Sequence, residues 1–464
     1  MTIKQKALLV VISTPLDARV FLNSGVIREL RKAYHGPIEV LITFDLSVFS
    51  DQIREHSDII RFLTLDEIMP RYEVSLVGRI LVAIDRLLDK HIGYFPLAIR
   101  FNLRNELHPE RMLKGHPNTY LDPSKMGFLP QWTWIYNAMF KWLYCRYRYL
   151  QPDFLDYLRK NTHAILTTSI NSIGQVPFIL GAKRLGIPLV GYVASWDHPV
   201  GKGVMYPDCL RYIVQNGIMK NDLLKYHAID AEKIAITGWP QTDVFAIKHP
   251  RSEYERLLTS CGLDPVKPCV LITGNSKTNA PYEPAFFKRL VAWWQTTDAK
   301  NRFSLYFRPH PKDNLWETRL NVKEVIGIKG IYVQSPSFTD MEEVLAPLLQ
   351  HSACVVTNAG TVLLDSLVND RPVVSVLYDE GAPAGTCFAA KNVTGLHYKE
   401  LMSSEAFYVA VNFDQVVDSI NRCLNFPDEL ADQRRAVCLQ IVGNIDGMAA
   451  QRVANVVADA IYAL

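Results

Sequence analysis

Short runs of apolar, often β-branched residues alternate along the chain with segments whose apolar positions recur at helical spacing. This alternation is typical of parallel sheets whose strands are joined by helices. The first half is predicted to contain helices at Phe21–Ala33 and Gln175–Leu185. It is also predicted to contain strands at Ala7–Ile12, Ile38–Phe44, Ile59–Leu65, Ala164–Thr168, Leu189–Tyr192, Arg211–Val214 and Ile234–Thr237.

A second alternating series begins after the Pro-containing segment Lys248–Ser252, which is a candidate linker. Its predicted helices are Glu283–Thr296, Trp316–Val325 and Met341–His351. Its predicted strands are Cys269–Thr273, Ser304–Arg308, Ile331–Gln334, Val355–Val356 and Val373–Leu377. Two such series of about 200 residues each predict an α/β protein with two doubly wound, Rossmann-like domains and a cleft between them.

The predicted domains are residues 1–247 and 248–444, followed by a C-terminal helix in residues 445–464. The first domain would carry a helical insertion near residues 70–150. The stretch 130–150 of this insertion is rich in Trp, Tyr and Arg. That composition is typical of a packed helical subdomain, and it leaves peripheral docking at the inner face of a membrane open.

Composition limits the classes of function. A net charge of +3 gives no electrostatic case for a nucleic-acid partner. No apolar run approaches the length that spans a bilayer, and the eight cysteines form no C-x-x-C pair, so we expect a cytoplasmic protein with reduced thiols. His and Cys residues lack metal-ligand spacing, so we expect neither a bound metal nor a cofactor.

One candidate anion site is the loop Thr357–Thr361, which joins a buried strand to a helix. The backbone N–H groups of the loop and the positive end of the helix dipole both favour a phosphate group. Thr361 is the predicted cap of that helix. The donor-binding candidates in and after this loop are Asn358, Ala359, Gly360, Thr361 and Asp365.

Two other loops carry matching chemistry. A turn that two prolines make rigid follows a strand and carries Arg308, His310 and Lys312. We favour a diphosphate-binding role for these residues over the alternative of a solvated basic turn. A polar loop after the first strand of the second series adds Gly274, Asn275, Ser276 and Lys277 as donor-binding candidates. This loop lacks P-loop spacing, and an ordinary polar connection explains it equally well.

The first domain offers candidates for acid–base chemistry and acceptor binding. Asp17 follows the first strand and is a candidate base, with Arg19 beside it, although a helix-capping Asp is an equal alternative. A second loop places Asp197 next to His198, which could act as base and orienting group. Ser195 and Trp196 of that loop are acceptor-binding candidates, with a structural loop around a half-buried Trp as the alternative.

These motifs together resemble bacterial GT-B glycosyltransferases, in particular surface-polysaccharide transferases related to the CDP-glycerol glycerophosphotransferases of teichoic acid synthesis. The resemblance spans nearly the whole chain. It rests on Ser13–Asn23, Ser195–His198, Gly238–Asp243, Thr273–Lys277, Arg308–Lys312, Thr357–Thr361 and Asp446–Arg452. It implies that the second domain binds an activated donor, the first binds the acceptor, and the last helix crosses back to the first domain.

This chain departs from the glycerophosphotransferases at Thr357-Asn-Ala-Gly-Thr361, where they usually carry an Asp-Tyr-Ser-Ser-like loop. The departure favours a nucleotide-sugar donor over a polyol-phosphate donor. Glu380, beyond a later strand end, could then contact a ribose or sugar hydroxyl.

We therefore expect an inverting, metal-independent glycosyltransferase acting on a glycan or lipid-linked acceptor, with Asp17 or Asp197 as the base. The alternatives are a CDP-glycerol-type polyol-phosphate transferase, a UDP-sugar 2-epimerase on the same fold, and a non-catalytic nucleotide- or glycan-binding protein.

Overall fold

The computed structural model describes residues 5–44, 53–54, 61–63, 150, 152–201, 205, 208–227, 229–298, 302–386, 388–393 and 395–464. The predicted insertion near residues 70–150, with its aromatic stretch 130–150, lies outside the described residues. The described chain forms two compact units. The first contains the residues up to Asp243 together with Asp446–Leu464, and the second is Val244–Ile445.

The first unit is built on a seven-stranded parallel sheet in the order β3-β2-β1-β4-β5-β6-β7. Its central strand Ala7–Ile12 is apolar and buried along its whole length because helices cover both faces of a doubly wound sheet. The strands are β1 (Ala7–Ile12), β2 (Ile38–Ile42), β3 (Arg61–Leu63), β4 (Thr162–Thr167), β5 (Leu189–Tyr192), β6 (Arg211–Val214) and β7 (Ile234–Ile236). The helices are α1 (Pro15–Ala18), α2 (Val26–Ala33), α3 (Pro152–Asn161), α4 (Val176–Leu185), α5 (His198–Gly201) and α6 (Gly217–His227).

The second unit is built on a six-stranded parallel sheet in the order β10-β9-β8-β11-β12-β13. Both sheets have the strand order of doubly wound folds, which confirms the predicted fold class. The strands are β8 (Cys269–Thr273), β9 (Ser304–Arg308), β10 (Ile331–Val333), β11 (Cys354–Thr357), β12 (Val373–Val376) and β13 (Tyr408–Ala410). The helices are α7 (Arg251–Ser260), α8 (Glu283–Thr296), α9 (Trp316–Arg319), α10 (Ala346–His351), α11 (Thr361–Val368), α12 (Phe388–Lys391), α13 (Lys399–Ser403), α14 (Phe413–Asn425) and α15 (Ala431–Ile441).

The last helix, α16 (Ala449–Tyr462), packs on α2 and so belongs to the first unit. Its start is held by Asp243, whose carboxylate accepts the N–H groups of Ala449 at 3.1 Å and Ala450 at 2.8 Å. Arg452 donates to the carbonyl of Thr237 at 2.7 Å. The motif Gly238–Asp243, which ends the first series, therefore has a structural role, because it caps and anchors the final helix.

Two predicted helices are interrupted, and in each case a residue with positive φ marks the break. The segment Phe21–Ala33 is a π-helical turn (Arg19–Asn23) followed by α2, with Gly25 at φ 77° between them. The predicted helix Trp316–Val325 was wrong as a single element. It is α9 and a 3-10 turn (Val322–Glu324), separated by Asn321 at φ 47°.

Candidate active site

Three loops follow neighbouring strands of the second sheet. The segments Thr273–Lys277, Arg308–Lys312 and Thr357–Thr361 start at the last residues of β8, β9 and β11. Because β9, β8 and β11 are adjacent and parallel, the three loops leave the same edge of the sheet. The carboxyl edge of such a sheet is where doubly wound folds bind ligands.

The first two loops touch at Gly274. Its N–H donates to the carbonyl of Arg308 at 2.8 Å. A Cβ atom at this position would lie 3.1 Å from Glu283 Oε2, 3.2 Å from the nitrogen of His310 and 3.3 Å from Cα of Pro309. A side chain here would push the two loops apart, so glycine is required by close approach of backbone to backbone.

The first and third loops are joined through two asparagines. The amide of Asn275 donates to Asn358 Oδ1 at 3.2 Å and to the carbonyl of Ala359 at 3.1 Å. The other bonds of the Asn358 side chain are a donation from Asn392 at 2.6 Å and donations to the carbonyls of Val376 at 2.6 Å and Ala389 at 3.2 Å.

An amide side chain offers two N–H groups and two carbonyl lone pairs, and all four of Asn358 are used by the protein. Its predicted role as a donor-binding residue stays a prediction, and any direct contact of the side chain must replace one of these bonds. Asn358 has no hydrogen-bonding capacity left for a donor, and it positions the loop.

Helix α11 starts differently from the prediction. Gly360 occupies the cap position at φ 141°, and no side chain caps the helix, so the capping role predicted for Thr361 is wrong. Thr361 is the first residue of α11. The N–H groups of a first helical turn have no partner within the helix, and they are the groups that receive anions. Asp365 is one turn further along α11 and is buried, so it does not face the loop as an exposed carboxylate.

Arg308 makes a different contact from the predicted one. Its guanidinium forms a fork with the carboxylate of Asp340, with both N–O distances at 2.6 Å, and Gln334 also donates to Asp340. The exposed fractions of the Arg308 and Asp340 side chains are 7% and 13%. Burial acts to raise the pKa of Asp340, but the hydrogen bonds and charge of Arg308 outweigh it and hold this pKa below its ordinary value. The charge of Arg308 is thus already neutralised within the protein.

The remaining charged groups of the three loops point outward. Lys277 and Lys312 are exposed, and among the described residues no carboxylate pairs with either. His310 Nδ1 accepts the N–H of Lys312 at 3.1 Å, which fixes the imidazole on its turn. Ser276 hydrogen-bonds Thr278 at 3.1 Å. Two ammonium groups on adjacent loops are therefore free to meet an anion.

Glu283 is a site residue that the sequence analysis missed. Its carboxylate accepts the N–H of Asn275 at 2.7 Å and pairs with Arg319 at 2.7 Å, which in turn pairs with Asp313. Burial raises the pKa of Glu283 to about 7, against the lowering effect of Arg319. An acidic residue at the start of a predicted helix was the available signal, and it indicated only a helix start.

Glu380 pairs with Arg289 at 2.8 Å and accepts the hydroxyl of Tyr378 at 3.0 Å. Tyr378 also lines a small cavity of about 30 Å³ beside Asn358. The ribose or sugar contact of Glu380 stays a prediction, and any such contact must share the carboxylate with these two partners.

In the first unit, Asp17 has the helix-capping role that its sequence position allowed, and its role as a base stays a prediction. Its Oδ2 accepts N–H groups of Ser13 at 3.3 Å and Thr14 at 3.0 Å, while Thr14 accepts the N–H of Asp17 at 3.2 Å, so the pair forms a capping box at α1. Asp17 Oδ1 has no partner among the described residues. Burial to 1% exposure raises the pKa of Asp17 to about 6, although the bonds from Ser13 and Thr14 lower it. Arg19 is half-buried two residues later.

The second loop of this unit is mostly core. The ring of Trp196 is 6% exposed, and its centroid lies 6.3 Å from that of Trp239, so the residue has a packing role, and its stacking on a sugar or base stays a prediction. Ser195 accepts the N–H of His198 at 3.0 Å, and both side chains are buried at the start of α5. Asp197 is half-buried between them.

Over the described part of the chain, no group of three or more His, Cys, Asp or Glu side chains could hold a metal ion. Within the same residues, every helix is too short or too polar to cross a bilayer.

The chain matches a known family, and its structure is similar to known structures. The family model described as CDP-Glycerol:Poly(glycerophosphate) glycerophosphotransferase matches residues 203–459, more than half of the chain. The structure is similar to UDP-GlcNAc 2-epimerase from Neisseria meningitidis bound to UDP-GlcNAc, with a TM-score of 0.56 at 13% identity over 98% of this chain and 100% of that one. It is also similar to the wall teichoic acid polymerase TagF soaked with CDPG, with a TM-score of 0.51 at 10% identity over 98% and 89%. A search of the curated proteins found no match.

The two parallel sheets and these neighbours define a GT-B fold. Within that fold class, the chain belongs to the CDP-glycerol:poly(glycerophosphate) glycerophosphotransferase family. The predicted resemblance is thereby confirmed.

Proposed function

We propose that the protein transfers a sugar from a nucleotide-activated donor to a glycan or lipid-linked acceptor, with inversion and without a metal ion. The observation that carries the proposal is the junction of three loops at the carboxyl edge of the second sheet. Gly274 and the Asn275–Asn358 pair hold the loops together. The junction combines exposed ammonium groups with the uncapped start of a helix, which together suit a diphosphate.

The donor diphosphate is held by Lys277, Lys312 and the N–H groups at the start of α11. Positive charge and N–H donors at this edge of the sheet stabilise the negative charge that develops on the diphosphate as the sugar leaves. Two ammonium groups and a helix dipole supply the positive charge that a metal supplies in other transferases. Arg308 contributes by fixing the turn that carries His310 and Lys312.

Asp17 is the base that removes the proton of the acceptor hydroxyl. A pKa of about 6 leaves this carboxylate ionised at neutral pH yet basic enough to accept a proton, which is the range useful for a general base. Its Oδ1 is buried and has no partner among the described residues, whereas Oδ2 is occupied by the capping box. Asp197, half-buried beside His198, is the alternative base.

Transfer of a polyol phosphate is the second candidate, and the family match favours it because residues 203–459 include all three loops. The loop Thr357–Thr361 favours the sugar, since it lacks the Asp-Tyr-Ser-Ser-like pattern of the glycerophosphotransferases. The likeness to 2-epimerases at 13% identity concerns the fold alone.

A donor panel tests the proposal. UDP-, GDP- and CDP-sugars and CDP-glycerol are compared by thermal shift, because a ligand that binds the folded state raises the melting temperature. Each binder is then incubated with and without glycan acceptors, and the products are analysed by mass spectrometry and NMR. The proposal expects one nucleotide-sugar to bind and be consumed only with acceptor. Turnover of CDP-glycerol alone would establish the second candidate, and epimerised donor without acceptor would establish epimerisation.

Matched variants test the location of the site. Lys277→Gln/Lys312→Gln should weaken donor binding at least tenfold, because each removes a charge facing the diphosphate. Lys329→Gln changes an exposed lysine of the same unit outside the three loops and should leave binding unchanged. Equal donor affinity in the double variant and in the control would show that the diphosphate does not bind at these loops.

A further inference from the structure

A pocket of about 510 Å³ lies in the first unit, at the amino edge of its sheet. Its volume is in the range of pockets that take small molecules. The residues used below are contributed by the segments that precede β1 and β2, by the start of β4 and by the end of α16: Lys6, Tyr34, His35, Gly36, His163 and Tyr462. Strand β1 separates this pocket from Asp17, and six residues of strand span about 20 Å. The pocket is therefore distinct from the candidate active site.

The lining of the pocket combines one lysine with two histidines. Lys6, His35 and His163 are exposed at its rim, and none of the described residues that line it is acidic. An ammonium group and two imidazoles converge on one space from three separate segments of chain. Such donors are suited to a phosphate group, whose oxygens accept several charge-assisted hydrogen bonds.

Two tyrosines form the wall beside these donors. The rings of Tyr34 and Tyr462 lie 5.6 Å apart at 34°. The hydroxyl of Tyr462 accepts the N–H of His35 at 2.8 Å, which fixes the backbone that carries this imidazole. Tyr462 is 55% exposed, so it offers an aromatic surface and a hydroxyl, the pairing that suits a sugar or polyol.

Gly36 sets the position of this wall. A Cβ atom there would lie 2.5 Å from the hydroxyl oxygen of Tyr34, a distance that no real contact allows. The ring of Tyr34 therefore lies over Gly36 only because that residue has no side chain. Any substitution moves the ring and changes the shape of the pocket while leaving the charges in place.

We propose that this pocket is a second binding site, which takes a phosphate-bearing sugar or polyol. Lys6 and the two imidazoles hold the phosphate, and the tyrosines hold the carbon skeleton with its hydroxyl groups. The same phosphate chemistry could come from a soluble sugar phosphate, from a phosphorylated glycan or from a lipid headgroup. The inference stands on the pocket alone and does not require the proposed transfer reaction.

Calorimetric titration tests the site, with glycerol 3-phosphate and glucose 1-phosphate as probes and glycerol and glucose as neutral controls. The titrations use the Lys277→Gln/Lys312→Gln protein, in which the proposed donor site is weakened. The phosphorylated probes should bind and the neutral ones should not. Adding Lys6→Gln/His35→Gln/His163→Gln should weaken binding at least tenfold, while adding Lys183→Gln, an exposed lysine of the same unit, should leave it unchanged.

Gly36→Ala is an independent test of the site. It should weaken binding of the sugar phosphate at least fivefold and binding of inorganic phosphate less than twofold. Sedimentation with vesicles of phosphatidylglycerol or phosphatidylcholine identifies the source. Binding to the anionic vesicles that the triple substitution abolishes supports the lipid source, and binding of soluble probes alone supports the soluble source. Absence of binding to every phosphate-bearing probe, or binding that the triple substitution does not change, would overturn the proposal.

Discussion

The ion pair between Arg308 and Asp340 gives the most direct test of the site. Arg308→Met leaves a carboxylate with 13% exposure without its counter-charge. Breaking a buried pair from one side costs about 3–5 kcal/mol, because the remaining charge is desolvated and unpaired. Arg308→Met/Asp340→Asn removes both charges and keeps an acceptor for Gln334, so it should recover most of the lost stability. Denaturant unfolding followed by Trp fluorescence measures both values.

Stability measured at acidic pH tests the same argument about the Arg308–Asp340 pair. The folded pKa of Asp340 lies below its ordinary value of 3.8, so the stabilisation from the pair is complete above that value and is lost as pH falls through the folded pKa. The stability deficit of Arg308→Met should therefore shrink in acid, where protonation removes the unpaired charge. A deficit under about 1 kcal/mol at pH 7, in the range of exposed pairs, would refute the argument.

Donor affinity then separates the two roles of Arg308. If the ion pair acts by ordering the turn that carries His310 and Lys312, the stable double variant should bind nucleotide better than Arg308→Met does. If the guanidinium instead leaves Asp340 to contact the diphosphate, both variants should bind equally poorly. Titration with the cognate nucleotide at one temperature decides between these results.

Three further predictions concern the loops and the candidate base. Gly274→Ala should destabilise the protein by about 1–3 kcal/mol and raise the KM for the donor, because the added methyl group is overpacked against the neighbouring loop. Denaturant unfolding and steady-state kinetics measure the two effects. Gly217→Ala is the control, because the space around its Cβ is open. The native protein should lose stability as pH rises from about 4.5 through 7, because the raised folded pKa of Glu283 makes its ionisation unfavourable in the folded state. Glu283→Gln does not ionise, so its free energy of unfolding should rise relative to that of the native protein over this range. Denaturant unfolding at several pH values measures the difference. Asp17→Asn should lower kcat roughly 100-fold or more, and it should abolish the rise of kcat/KM through about pH 6 that is expected for the native protein; an unchanged pH profile would exclude Asp17 as the base.

The sequence predicts strands better than it predicts the partners of polar side chains. Strands Cys269–Thr273 and Ser304–Arg308 have the predicted bounds because continuous apolar runs between polar loops define buried parallel strands. The breaks at Gly25 and Asn321 were missed because apolar spacing continues across them, while a single left-handed residue ends the helix. Periodicity reports which face is buried, and it does not report backbone conformation at one position.

Arg308 illustrates the limit for the site. Its motif correctly indicated a rigid turn at a strand end, but its partner Asp340 lies 32 residues later and after another strand. Likewise, Trp196 looked like a stacking residue because nothing local shows that Trp239 covers it. Long-range pairing decides whether a polar or aromatic side chain is available, and a single sequence carries no record of that pairing.

The saturated amide of Asn358 changes what the third loop can say about the donor. All four of its hydrogen-bonding positions are used within the protein, so this side chain cannot distinguish a sugar from a glycerol phosphate. The loop offers a ligand its backbone N–H groups and the Thr361 hydroxyl, and backbone N–H groups recognise any phosphate equally. The preference of this loop for a sugar donor must then come from Thr361 and from the missing Asp-Tyr-Ser-Ser-like side chains, and not from the Asn358 amide. Substituting Asn358 should therefore lower activity with every donor by the same factor, and a change in donor preference would show that the amide is released to contact the ligand.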